Sequence, residues 1–249
     1  MDQNKNKKIV IFNNKDELWE YLVKKWFLIG RESLAKKGFF NVALSGGKTP
    51  VELYHRLSKE NMGFLWEKTH IFQVDERFGD AKDCDNNWRL IQDNLLTPLN
   101  ISSSNMHPVA IKETAGLSAL DYEEKIKIFF NLKEAEFPKF DLLLLGIGKD
   151  GHTASLFPET GAMDEKNRLT LNLKGDNIDY ERISLTLPVI NNAKCVLFVV
   201  TGADKSDIIR EVIDGKNKKL PASLVDPESG ELLYLFDYEA ASLLREKEK

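Results

Sequence analysis

Cysteine is scarce in this chain of 249 residues, which contains only Cys84 and Cys195. Two thiols can build neither a disulfide framework nor a zinc site with four cysteine ligands. Cys195 lies in an apolar stretch, so we interpret it as an inert residue of the core. No combination of histidine, cysteine and carboxylate in the sequence has the spacing of a zinc site. We therefore expect chemistry that uses no metal.

Long hydrophobic runs are also missing. The longest strongly apolar stretches are Leu142–Leu145 and Cys195–Val200, whereas a membrane-spanning helix needs about 20 apolar residues. The polar N-terminal segment 1–8 is not followed by the apolar region of a secretory signal. We expect a cytoplasmic protein that does not bind a membrane.

The chain has no surplus of positive charge. Its 35 lysines and arginines are outnumbered by 39 aspartates and glutamates, so the net charge is −4. General nucleic-acid binders carry a basic excess, and we expect no nucleic-acid partner here. A binding site for a small anion must then be local. Glycine and proline, with 15 and 8 residues, are too few for a low-complexity or collagen-like chain.

The sequence does contain short apolar runs that alternate with helical patterns. The apolar runs predict strands over Lys8–Phe12, Asn41–Leu44, His70–Val74, Asp141–Leu145, Ile183–Leu187, Cys195–Val200 and Leu233–Phe236. Capping signals and apolar periodicity predict helices from Asn14 to Gly38, from Thr49 onward, and near Asn87–Leu95, Leu117–Leu132, Ala203–Ile213 and Tyr238–Glu246. The polar stretch Pro98–Glu113 is interpreted as a long loop.

This alternation predicts the fold class. Strands that are apolar throughout suit a parallel sheet covered on both faces, and helices that alternate with strands connect parallel neighbours. We expect an α/β fold that is doubly wound, with a mostly parallel sheet and helices on both faces. Because the sequence shows no repeat and no linker, we interpret residues 1–249 as a single domain.

The first candidate binding motif follows the strand predicted over Asn41–Leu44, with Thr49 as the expected N-cap of the next helix. Two glycines allow the backbone to approach a ligand, and the first N–H groups of a helix attract an anion. A nucleotide P-loop would need a glycine five residues before Gly47, but Val42 stands there. An ordinary strand-to-helix turn is the alternative, and we favour a phosphate site formed by Ser45, Gly46, Gly47 and Lys48.

A charged trio, Asp75-Glu76-Arg77, follows the strand predicted over His70–Val74. Ligands of open α/β sheets lie beyond the carboxyl ends of the strands. Arg77 could bind a phosphate or a carboxylate through two hydrogen bonds. Asp75 and Glu76 could orient a catalytic group or bind sugar hydroxyls. A solvated charged turn is the alternative of equal weight.

The Gly-rich segment after the strand Asp141–Leu145 contains the catalytic candidates. A Gly-x-Gly-x-x-Gly motif starts at Gly146, but Pro158 comes too soon for a dinucleotide-binding helix. No acidic residue ends a second strand about 20 positions further on, as ribose recognition requires. Asp150 and His152 then remain, because an imidazole can activate water and a carboxylate can fix its tautomer.

Other titratable residues are less specific. His55, His70 and His107 lie in a helical pattern, a strand and a polar loop, and we interpret them as structural. Lys205 follows an apolar strand, where it is either a second phosphate contact or a surface lysine. Arg182 either points into the pocket or merely flanks a predicted strand. The sequence contains no Gly-x-Ser-x-Gly nucleophile motif.

Four segments together resemble the 6-phosphogluconolactonase family, in that family's order and over most of the chain. They are Ser45-Gly46-Gly47-x-Thr49-Pro50, Asp75-Glu76-Arg77, the run from Gly146 to Pro158, and Gly202-x-x-Lys205. The resemblance implies a fold like that of glucosamine-6-phosphate deaminase and ribose-5-phosphate isomerase. It also implies hydrolysis of 6-phospho-D-glucono-1,5-lactone to 6-phospho-D-gluconate in the oxidative pentose phosphate pathway, without a cofactor.

From both lines we expect a sugar-phosphate substrate whose phosphate is bound by backbone N–H groups of residues 45–47 together with Arg77 and Lys205. Asp75 is expected beside the substrate. His152 is expected to take a proton from the attacking water, with Asp150 supporting the imidazole. The sequence leaves open whether the protein is a monomer or a small homo-oligomer.

Two positions depart from the family's pattern. Lys48 stands where the family usually has serine, and Asn86 stands where it usually has serine before Asn87. Both positions lie beside the predicted phosphate pocket, so the contacts there are the open part of the site. Lys48 adds positive charge, which is not expected to harm phosphate binding.

Two alternative functions remain. A glucosamine-6-phosphate deaminase shares the fold and an Asp-Gly-His loop, but it resembles Asp-Glu-Tyr where this chain has Asp75-Glu76-Arg77. A non-catalytic sugar-phosphate sensor would use the same pocket. Such regulators usually carry a DNA-binding segment, and the short polar N-terminus leaves no room for a helix-turn-helix.

Overall fold

The computed structural model describes residues 6–60, 62–79, 86–175, 179–215 and 217–245. Its strands are β1 (Lys7–Phe12), β2 (Phe40–Leu44), β3 (Thr69–Gln73), β4 (Asp75–Arg77), β5 (Met106–His107), β6 (Leu142–Leu145), β7 (Thr170–Leu173), β8 (Arg182–Leu185), β9 (Cys195–Val200) and β10 (Glu231–Asp237). Its α-helices are α1 (Lys15–Lys37), α2 (Thr49–Ser58), α3 (Gly63–Trp66), α4 (Asn87–Ile91), α5 (Ala115–Phe130), α6 (Leu187–Asn191) and α7 (Ser206–Ile213).

The described strands form two sheets. The larger has seven strands in the order β1-β10-β9-β6-β2-β3-β5, and every neighbouring pair in it is parallel. The smaller has the order β4-β8-β7 and is antiparallel. From β2 the chain proceeds towards β3 and β5, whereas from β6 it proceeds towards β9 and β10. The chain therefore changes direction between the adjacent strands β2 and β6, and an open α/β sheet forms a ligand crevice at the carboxyl ends of such strands.

Two hydrophobic cores cover the two faces of the larger sheet, which confirms the predicted doubly wound fold. One core contains Ala119 of α5 and Ile208 of α7, and the other contains Trp26 of α1 and Leu53 of α2. The side chains of β9 alternate between the two cores, so both faces of this strand are buried. A strand buried in this way needs apolar residues at every position.

The helix predicted from Asn14 to Gly38 is confirmed. Asn14 accepts a hydrogen bond from Glu17 N at 3.0 Å, and Gly38 ends the helix with φ +81°. The glycine is needed there because a side chain strains this backbone conformation. The predicted N-cap Thr49 is wrong, since Lys48 already has helical backbone angles and Thr49 is the first residue of α2.

Other boundaries also differ from the sequence predictions. Leu187, predicted to end a strand, begins α6. The predicted loop Pro98–Glu113 contains β5, which forms one edge of the larger sheet. The predicted helix from Tyr238 is wrong over the described residues to position 245, which form turns, and Glu246 lies outside the described residues. The reason is local, because Asp237 accepts a hydrogen bond from Ala240 N at 2.8 Å and so turns the chain.

The structure describes one of the two cysteines. Cys195 is buried in β9, and burial raises the pKa of its thiol to about 12. An inert thiol is the expected result. Cys84 lies outside the described residues. Within the described part of the chain, we find no helix with the length and apolar character needed to cross a bilayer.

Candidate active site

A cavity of about 550 Å³ opens at the carboxyl ends of β2, β6 and β9, beside the smaller sheet. It lies at the crevice that the strand order defines. The structure brings all of the site residues predicted from sequence into its wall, which includes Ser45, Gly46, Gly47, Lys48, Asp75, Arg77, Asp150, His152 and Lys205. Residues far apart in the sequence therefore share one pocket.

The loop between β2 and α2 is held in place from two sides. The Ser45 hydroxyl donates to the carbonyl of Leu144 in the neighbouring strand β6 at 2.7 Å. Tyr54, fully buried in α2, donates its hydroxyl to the Ser45 carbonyl at 2.6 Å. Gly47 has φ +90°, which favours glycine. Since no described side chain caps α2, the first N–H groups of this ten-residue helix are available to an anion.

Asn87 packs directly against this loop. A Cβ added to Gly46 would lie 1.9 Å from Asn87 Oδ1, so only glycine fits there. The Asn87 amide donates to the carbonyl of Asp75 at 3.1 Å. The phosphate-loop candidate, the start of α4 and strand β4 are thereby in mutual contact.

Glu76 connects β4 with the start of α4 through hydrogen bonds. Its carboxylate is fully buried and accepts hydrogen bonds from Gln73 Nε2 at 2.6 Å and from the backbone N of Arg77, Asn87 and Trp88, each at 2.8 Å. Burial raises the pKa of Glu76, and these hydrogen bonds oppose the rise. Glu76 therefore fixes β4 and α4 and is not part of the cavity wall that the structure describes.

Asp75, in contrast, lies at the cavity. Its carboxylate accepts the hydroxyl of Ser155 at 2.6 Å, and only 7% of the residue is exposed. Burial raises the pKa of Asp75, whereas the Ser155 hydrogen bond and the charges of Arg182, His152 and Arg77 act in the opposite direction. Such a group can accept a hydrogen bond from a substrate hydroxyl.

Two arginines face each other across the smaller sheet. Arg77 of β4 and Arg182 of β8 are directly opposite in the antiparallel register, and both line the cavity. Burial and the charge of Arg77 lower the pKa of Arg182. The buried Nε of Arg182 has no hydrogen-bond partner among the described residues. Like charges in this position repel each other, so the pair favours an anion between them.

Asp150 and His152 form a hydrogen-bonded pair in the loop after β6. Nδ1 of His152 lies 2.6 Å from Oδ1 of Asp150, which also accepts the His152 backbone N–H at 3.1 Å. Burial acts to raise the pKa of Asp150, but the hydrogen bonds from His152 outweigh it and lower the pKa to about 2. An ionised carboxylate at Nδ1 keeps the proton on that nitrogen and the lone pair on Nε2.

Gly148 of this loop leaves the space that the histidine occupies. A Cβ added to Gly148 would lie 2.1 Å from His152 Nδ1 and 2.7 Å from Asp150 Oδ1. The Phe157 ring packs against the imidazole, with 4.4 Å between the centroids. Because residues 152–160 form no helix, the dinucleotide interpretation stays rejected. Gly148, the second glycine of the Gly-x-Gly-x-x-Gly motif, makes room for the His152–Asp150 pair.

Lys205 reaches the cavity from the segment after β9. Its Nζ donates to the carbonyl of Ile147 in the Gly-rich loop at 2.8 Å. Burial lowers the pKa of Lys205, and the charge of Asp204 opposes that effect. Lys149 and Asp204 form an exposed ion pair of 3.1 Å beside it.

The other histidines lie elsewhere. His70 and His107 form a pair on β3 and β5, with 3.2 Å between His70 Nδ1 and His107 Nε2, and the His107 ring stacks on Phe72. His55 lies in the last turn of α2. The described wall of the cavity includes none of these three, which agrees with their interpretation as structural.

Three residues of the cavity wall, Arg182, Ser155 and Phe157, have no function that the sequence alone assigns. The position of Arg182 depends on the pairing of β4 with β8, and no signal in the sequence identifies that pairing. The described residues contain no group of three or more His, Cys, Asp and Glu side chains arranged to hold a metal ion.

The chain is similar in sequence to known proteins. Residues 13–234 match the family model described as glucosamine-6-phosphate isomerases/6-phosphogluconolactonase. A 6-phosphogluconolactonase of Synechocystis sp. is 37% identical over 217 residues, which are 86% of this chain and 88% of that protein.

Solved structures give the same result. A 6-phosphogluconolactonase from Trypanosoma cruzi superposes with a TM-score of 0.85 and 29% identity, covering 98% of each chain. The enzyme of the same name from Trypanosoma brucei superposes with a TM-score of 0.82 and 27% identity, covering 94% of this chain and 97% of that one. The fold of these structures is the fold described above.

Proposed function

The chain belongs to the glucosamine-6-phosphate isomerase/6-phosphogluconolactonase family, and from this premise we propose the reaction of its cavity. The protein is a hydrolase that opens 6-phospho-D-glucono-1,5-lactone to 6-phospho-D-gluconate, a step of the oxidative pentose phosphate pathway. The observation that carries this proposal is the Asp150–His152 pair, which shares one cavity with several cationic side chains.

Phosphate binding is assigned to the cationic part of the cavity. Backbone N–H groups of residues 45–47, in the loop that leads into α2, accommodate an anion. Arg77 and Lys205 add positive charge, and Arg182 stands directly opposite Arg77. An anion between the two guanidinium groups removes their mutual repulsion. Lys48 also lines the cavity and adds charge at its wall.

Bond cleavage is assigned to His152. Nε2 removes a proton from water as the water oxygen bonds to the lactone carbonyl carbon. The protonated imidazole then gives this proton to the ring oxygen as the bond between the carbonyl carbon and that oxygen breaks. Asp150 stabilises the imidazolium and orients the ring, and Asp75 binds a substrate hydroxyl.

Phosphate binding and bond cleavage are assigned to different parts of the cavity, and this separation predicts how fast a lactone without a phosphate is hydrolysed. The phosphate is remote from the bond that breaks, so its binding positions the carbonyl beside His152 rather than activating it. A lactone without the phosphate loses this positioning. Its hydrolysis is therefore expected to be accelerated far less.

A coupled assay on freshly generated 6-phosphogluconolactone tests the proposal. We expect the purified protein to accelerate ring opening above the spontaneous rate, and to act much more weakly on unphosphorylated D-glucono-1,5-lactone. A rate equal to the spontaneous rate would overturn the hydrolase assignment. Ammonia release from glucosamine 6-phosphate would instead indicate the deaminase, and sugar-phosphate binding without turnover would indicate a sensor.

A further inference from the structure

Asp237, at the carboxyl end of β10, lies outside the described cavity wall. It is connected to Lys205 through its contacts with Gly202. Only 2% of this residue is exposed. Both carboxylate oxygens lie 3.0 Å from the backbone N of Gly202, and Oδ1 also accepts the N–H of Ala240. The exposed Lys15 approaches the carboxylate at 4.0 Å. This buried carboxylate therefore accepts hydrogen bonds mainly from the backbone of the segment after β9.

Gly202 is the residue on which this segment turns. Its φ of +96° and ψ of 146° belong to a region that is reserved almost entirely for glycine. The next residues form a short 3-10 turn, Ala203–Lys205, in which Lys205 N donates to the carbonyl of Gly202 at 3.2 Å. The direction in which Lys205 leaves the turn therefore depends on the Gly202 peptide that Asp237 holds.

The side chain of Lys205 completes the connection. Its Nζ donates to the carbonyl of Ile147, in the loop that contains the Asp150–His152 pair. A four-carbon side chain gives this ammonium group many alternative positions. Its location at the cavity requires that the backbone from which it extends be held in one place.

We propose that Asp237 is a positioning residue of this site: by holding the Gly202 turn, it places the Lys205 ammonium where the substrate phosphate binds. The inference rests on the proposed function, in which Lys205 contacts that phosphate. Asp237 itself does not contact substrate. Its contribution is therefore expected in substrate binding and to pass through Lys205.

The test is a double-mutant cycle of Asp237→Asn and Lys205→Ala, measured by steady-state kinetics on the phosphorylated lactone. Asparagine keeps the size of the side chain but removes its charge and one acceptor. We expect Asp237→Asn to raise KM about fivefold, as for a weakened charged hydrogen bond, with kcat within about twofold. In the Lys205→Ala background the same substitution is expected to change KM less than about twofold.

Asp141→Asn is the matched control. Asp141 is another fully buried carboxylate that accepts a backbone N–H, from Asn41 at 2.8 Å, but it lies at the opposite end of the sheet beside Lys37 and Lys194. We expect this variant to melt at a lower temperature with KM unchanged. A rise in KM equal to that of Asp237→Asn would show that loss of stability alone accounts for the effect, and would overturn the proposal.

The remaining outcomes distinguish a failure of the proposed phosphate site from a failure of the positioning role of Asp237. If Lys205→Ala leaves KM unchanged, the phosphate site and the positioning role both fail. If Lys205→Ala raises KM but Asp237→Asn does not, or if their effects multiply independently, only the positioning role is wrong. Should Asp237→Asn not fold, Asp237→Glu keeps the charge and displaces it by one methylene, and the same rise in KM is expected.

Discussion

The histidine–aspartate pair in the cavity and the histidine–histidine pair at the edge of the sheet show how neighbouring groups determine the chemistry of an imidazole. His152 is paired through Nδ1 with the carboxylate of Asp150, and about a third of its side chain is open to the cavity. His107 is paired with His70 and stacks on Phe72 with 4.2 Å between ring centroids. A carboxylate at Nδ1 fixes the tautomer that leaves the Nε2 lone pair free, whereas burial disfavours the charged form of His107.

The largest expected effect comes from removing the two imidazoles separately. His152→Gln is expected to lower kcat by at least about 100-fold, because general acid–base catalysis is lost. His107→Gln is expected to leave kcat within about twofold, since the ring lies outside the cavity. Both are measured in the coupled lactone assay after subtraction of spontaneous hydrolysis. Equal losses in the two variants would contradict the distinction between the pairs.

A second prediction concerns the space that His152 needs. Gly148→Ala places a methyl group 2.1 Å from His152 Nδ1, so the imidazole must move. A displacement of roughly 1 Å costs about 100-fold in rate. Gly146→Ala is the matched control in the same loop, because a Cβ there meets nothing within 4 Å. We expect the control to keep nearly full kcat. If both alanines are tolerated equally, the imidazole is not held where the structure places it.

The smallest expected effect distinguishes the edge pair by its pH dependence. Burial, with the charges of His70 and Lys125, lowers the pKa of His107 to about 4, whereas an unfolded histidine titrates near 6.5. Between these values the unfolded chain takes up a proton that the folded chain does not. The free energy of unfolding is therefore expected to fall by about 3 kcal/mol as the pH drops through this window.

Urea unfolding of the wild type and His107→Gln, at neutral pH and near pH 4, measures this difference. The stability advantage of the wild type over the variant should shrink as the pH falls, since carboxylates titrate alike in both proteins. A difference that stays constant with pH would show that His107 is not kept neutral by its surroundings.

The parts of the fold that could be predicted are those dictated by local sequence. Strand β9 has the bounds predicted for it, because burial on both faces demands an unbroken apolar run. Helix α1 has both of its predicted caps. Strand β7, in contrast, contains the exposed Asn172 and pairs only within the small sheet, so its periodicity is weak.

The Asp150–His152 pair could be predicted because both of its residues lie in one loop. Asp150 and His152 are close in sequence, and a carboxylate near an imidazole has few structural reasons to stand at the end of a strand. Arg182 could not be assigned, because its direction depends on pairing with a strand of only three residues. Asp237 gives no signal at all, since its partner Gly202 is remote in the sequence.

The pairing of β1 with β10 has a consequence for the order of assembly. These strands are neighbours in the sheet, with Lys7 opposite Leu232 and Phe12 opposite Asp237. On the ribosome β1 emerges long before the strand that covers its side, so it waits unpaired while most of the chain is translated. Contacts of such long sequence separation slow folding. The end of β10 also carries Asp237, so the step that seats the first strand is the step that completes the support of the cavity.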